Sequence, residues 1–134
     1  MPRRPSIGFL GVFGRSDDMR RLDGALRSLD VHPKLVPEAV KITLVNLLKD
    51  DTAGGKLEDK RYRAAAEIVG YCMIGAEGFA GANDAGLARV VEERIEAALV
   101  AGDSLDAQLI LLTLHAGLIQ ASVVERYRLE SESG

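Results

Sequence analysis

The sequence predicts an all-α fold, a compact bundle of about five helices, and three observations carry that reading. Apolar residues recur at helical spacing, as in Met19, Leu22, Leu26 and Leu29 and again in Leu87, Val91, Ile95 and Ala98. Helix-starting and helix-stopping residues punctuate the stripes: Ser16, Pro37, Gly102 and Ser104. Aromatics make up 4% of the 134 residues, with no tryptophan, so the core rests on Leu, Val, Ile and Ala, which suit close helix packing.

Residues 1–15 hold two prolines and three glycines and no helical period, and are read as an irregular arm. Ser16 then caps a first helix, with Asp17 and Asp18 in the first turn where acids favour the dipole. Asp23 and Arg27 face each other at i, i+4 on its wet side. Pro33 and Pro37 end it, and Pro37 sits at the first position of a second helix, "PEAVKITLVNLLKD". After the loop "DDTAGGKLED", a third helix runs from about Leu57 through Ile74. It meets "GAEGFAGANDAG", where Gly75, Gly78, Gly81 and Gly86 interrupt the pattern. A fourth helix, about Asp84 to Val100, is plainly amphipathic, with Arg89, Glu92, Glu93 and Glu96 outward. Ser104 caps a fifth that extends to roughly Leu129, before the polar tail 131–134. Residues 16–130 therefore form a single helical domain.

The fifth helix is apolar on two faces, so it is expected at the centre of the bundle or shared with a partner subunit. His115 lies inside its greasy run "LILLTLHAGLI" and is expected to be structural, packed and hydrogen-bonded. The run from Leu109 to Val124 is too short for a membrane span of about 20 residues and is broken by Thr113, His115, Gln120 and Ser122.

The sequence itself does not state a function, but it excludes several chemistries. Two histidines and one cysteine, with no His-x-x-x-His or Cys-x-x-Cys spacing, leave no zinc motif. The loop after helix two puts Arg61 where an EF-hand needs glutamate, and Leu57 where a phosphate loop needs Ser or Thr. The glycines of 75–86 lack dinucleotide-binding order. No cofactor and no metal are expected. Weak catalytic candidates are His115 and Glu77, the first charge in its small-residue segment, with Tyr71 as a possible neighbour. Cys72 reads as a small buried hydrophobe.

Formal net charge is −3: residues 1–36 carry +3 and residues 37–134 carry −6. That is no dense basic footprint, so nucleic-acid contact through Arg20, Arg21 and Arg27 ranks third among the functional readings. A cavity near His115 that binds or transforms a small molecule ranks second. First comes a non-enzymatic, cytoplasmic protein-interaction module, a homodimer or the receiver of a protein partner. Its interaction residues are Ile7, Phe9, Leu10, Val12 and Phe13, in an arm whose exposed apolar surface demands a docking place. The single cysteine fits a reducing compartment, and the start of the chain lacks a signal-peptide pattern.

Overall fold

The computed structural model describes residues 17–53 and 57–129. The arm with Ile7, Phe9, Leu10, Val12 and Phe13, the cap Ser16, residues 54–56 and the tail 131–134 lie outside the described residues. Six α-helices and one short 3-10 turn make up the described fold, an all-α bundle without strands among those residues. Helix α1 spans 17–28, a 3-10 turn covers Pro33–Leu35, and α2 is Glu38–Asp51. Helix α3 is Asp59–Ala82, α4 Ala85–Ala101, α5 Leu105–His115 and α6 Ala121–Tyr127.

The stripe of α1 is buried at Leu22, Leu26 and Leu29. Its end is a Schellman turn: Asp30 takes the left-handed conformation (φ 66°) and Val31 N–H returns to the Leu26 carbonyl. Asp23 does not use Arg27 as the helical spacing suggests. It pairs across to Lys41 of α2 at 2.8 Å, which ties the first two helices. Helix α2 starts one residue after Pro37, and α4 keeps its sequence-read boundaries. Asp84 accepts from Leu87 N–H at 2.7 Å, and Gly102 stops the helix at φ 80°.

Two boundaries differ from the sequence reading. The expected fifth helix is two: α5 ends at His115, Gly117 turns left-handed (φ 73°), and α6 begins after Gln120. The break is another Schellman motif, with Leu118 N–H on the Thr113 carbonyl and Gly117 N–H on Leu114. At Gly117 the left-handed turn ends the helix despite the hydrophobic continuity of the run. The second difference concerns the glycines. Helix α3 passes through Gly78 and Gly81 and breaks only at Gly75, whose φ of 83° and ψ of 171° kink it.

The centre of the bundle is α3 and not the C-terminal segment. It packs against α2, α4, α5 and α6, and it buries Tyr62, Ile68, Val69, Tyr71, Cys72 and Phe79. Helix α5 buries one side only, at Ala107, Leu109, Ile110 and Thr113. His115 is exposed at its last turn, so the structural-filler reading of that imidazole is corrected. No single helix among the described residues is long and apolar enough to cross a membrane. Helices α4 and α5 reach that threshold only together, and they are bent by 94°.

Candidate functional site

The densest polar grouping forms where α3 kinks. A helix that breaks frees carbonyls, and buried carbonyls need donors. Gln120, the residue before α6, supplies two: its backbone N–H reaches the Cys72 carbonyl at 2.8 Å, and its Nε2 reaches Ile74 O at 3.2 Å. Ser122 Oγ donates to Gln120 Oε1 and fixes the amide. The approach leaves no room for a side chain on Gly75, since a Cβ there would stand 2.1 Å from Gln120 Oε1.

One turn earlier, the buried Tyr71 hydroxyl donates to Glu92 Oε2 of α4 at 2.7 Å and accepts from Arg126 Nη1 of α6 at 3.3 Å. Tyr127 Oη lies 3.4 Å away, and Arg126 also pairs with Glu92 at 3.1 Å. Burial first, then the hydrogen bonds with Tyr127 and Glu92, push the Tyr71 hydroxyl well above the ordinary tyrosine value. It therefore keeps its proton at neutral pH, the opposite of what a general base requires. Burial likewise pushes the Cys72 thiol up to about 12, so this cysteine is no nucleophile.

Beside this joint opens a cavity of about 420 Å³, with Tyr71, Glu77, Gln120, Ser122 and Arg126 on its walls. The structure thus brings together Tyr71 and Glu77, two of the three groups that the sequence offered for a small-molecule site. His115, the third, lines neither this cavity nor the two described below. His32 caps the 3-10 turn instead, its Nδ1 accepting from Lys34 N–H at 3.1 Å. Among the described residues, no group of three or more His, Cys, Asp or Glu is placed to hold a metal ion.

Arg20 and Arg21 line a second cleft, of about 480 Å³, with Lys60 and Arg63; Arg27 is not on its wall. Each of the four cations has an acid: Asp17 for both Arg20 and Arg21, Glu58 for Lys60, and Glu67 for Arg63. Asp59, 3.9 Å from Arg21, is a fourth acid at this cleft, and charges balanced in this way give little field for a phosphate backbone. A third group is structural. Arg94 forks onto Asp106 (2.9 and 3.1 Å) and also reaches Glu67 and the Ala64 carbonyl, both at 3.0 Å, so one guanidinium links α3, α4 and α5.

The remaining region is apolar and open. Near the end of α4, Leu99 is 42% and Val100 89% exposed, and Leu111 on α5 is 45% exposed. Leu99 and Leu111 line a groove of about 340 Å³ together with Ile110, Leu114 and Leu129, with Tyr127 and Arg128 also on its wall. Sequence reasoning missed it, because it placed the last long helix at the centre of the bundle or against a partner subunit and singled out no groove beside it.

Fold and sites together define a small all-α bundle with a polar joint and an apolar groove. No family model, no curated protein and no solved structure matches the chain.

Proposed function

We propose that this protein is a cytoplasmic protein-interaction module that self-associates through the apolar corner formed by the end of α4 and the outer face of α5. The observation that carries the reading is the exposure of Leu99 and Leu111 on the wall of one groove, with Val100 exposed next to Leu99 in the chain. Clustered apolar surface costs free energy in water and marks contact surfaces, and a patch used by both copies closes as a two-fold dimer. Sedimentation velocity of the intact chain over a concentration series tests this. The wild type should gain mass toward a dimer, and Val100→Glu should remain monomeric at the same concentrations. A wild type that stays monomeric to millimolar concentration removes the reading.

A second reading, a small-molecule site, rests on the cavity at the kink, whose volume lies within the usual range for ligand sites. Tyr71, Glu77, Ser122 and Arg126 would supply its polar contacts. Thermal-shift screening with metabolite mixtures checks it: a stabilising compound should lose its effect on Arg126→Gln.

A further inference from the structure

The apolar groove and the apolar arm lie within reach of each other, and their chemistry matches. The hydrogen bond from Tyr71 to Glu92 and those from Arg94 to Glu67 and Ala64 set α3 and α4 antiparallel, so Ala101 comes back beside the start of α3. The start of α1 is at that same end. Tyr62 Oη donates to Asp18 at 2.7 Å, and Arg21 reaches the Leu57 carbonyl at 3.2 Å. Asp17, the first described residue, thus lies at the end of the bundle where the groove opens by Gly102.

Two of the chain's three phenylalanines, Phe9 and Phe13, belong to the segment before Asp17, with Ile7, Leu10 and Val12 between and before them. Phe9 is eight residues from Asp17, a reach of about 26 Å in extended chain. Crossing the end of the bundle takes about two helix spacings, roughly 20 Å. A tether of that length holds the segment near its own groove at an effective concentration around millimolar, which a second copy matches only at comparable protein concentration. The groove has space at Gly102, since a Cβ there would meet nothing within 4 Å.

We infer that the segment Ile7–Phe13 docks in cis into the groove between α4 and α5 of its own chain and there competes with the second copy for Leu99 and Leu111. This rests on the self-association reading for its consequence, but the docking itself is tested separately. The native thiol is buried, so new cysteines can be placed without interference. In the full chain, Phe9→Cys with Leu111→Cys should form an intramolecular disulfide on oxidation at micromolar concentration. Phe9→Cys with Leu35→Cys, a similarly exposed position in the 3-10 turn, should form at least tenfold less. Equal yields for the two pairs, or bonds only between chains, overturn the docking. The full-length Phe9→Glu/Phe13→Glu variant should dimerise about tenfold more tightly than wild type, because the corner is released. Unchanged or weaker dimerisation overturns the competition. If no variant dimerises while the Leu111 disulfide still forms in cis, the self-association reading fails and the docked arm stands.

Discussion

The kink of α3 and the corner of α4 and α5 are opposites built from the same materials. At the kink the backbone itself is broken, and Gln120, the residue before α6, takes the Cys72 and Ile74 carbonyls while Arg126 of α6 closes the triangle with Tyr71 and Glu92. At the corner the backbone is regular and well capped, yet Leu99, Val100 and Leu111 are left facing solvent. The contrast teaches that a dense cluster of titratable groups is not in itself a reactive one. Groups that satisfy each other rigidify a joint, whereas an unsatisfied surface still has free energy to give to a partner.

That contrast can be broken by substitutions on either side, and the kink should be the more sensitive in stability. Gly75→Ala has to overcome both the left-handed backbone and the collision with Gln120, so a loss of about 3 kcal/mol in chemical denaturation is expected. A loss under about 1 kcal/mol would mean that Gln120 moves freely and the joint is loose. Arg94→Met leaves Glu67 and Asp106 without their shared guanidinium. With the site a quarter exposed, the expected loss is about 2 kcal/mol, measured the same way.

A smaller effect sharpens the picture of a closed joint by pH. In the folded protein Cys72 holds its proton up to about 12, against 9.0 for a free thiol, and Tyr71 is raised in the same sense. The unfolded chain releases these protons first as pH rises. The contribution to stability is therefore complete below about pH 9 and is lost between about 9 and 12. Denaturation midpoints should be flat with respect to this thiol up to pH 9 and then fall, with a shallower fall in Cys72→Ala. An equal slope in that variant would show that the thiol is not desolvated.

Much of the fold was legible because local signals were strong. The stripe Leu22, Leu26, Leu29, the Ser104 cap and the Gly102 stop are all short-range features, and all are present as read. The Gly117 stop was legible too, but the apolar run on both sides of it outweighed it in the reading, and His115 was placed inside a rod that ends there. Gly75 is different. In sequence it resembles Gly78 and Gly81, and what singles it out is the arrival of Gln120 from 45 residues further along the chain. The site was half legible for the same reason. Glu77 stood out as the first charge in a small-residue segment, with Tyr71 named as its neighbour, while Glu92 and Arg126 look like ordinary surface charges until α4 and α6 fold against α3.

The division of labour between the two regions is tested most directly by comparing Tyr71→Phe and Leu111→Glu for both denaturation and mass by sedimentation equilibrium. Tyr71→Phe should lose about 1 kcal/mol of stability and remain able to dimerise. Leu111→Glu should stay within about 0.5 kcal/mol of wild type and sediment as a monomer. The reverse pattern, a stable Tyr71→Phe that no longer dimerises or a Leu111→Glu that dimerises as the wild type does, would contradict the assignment of the closed polar joint to stability and the open apolar corner to assembly.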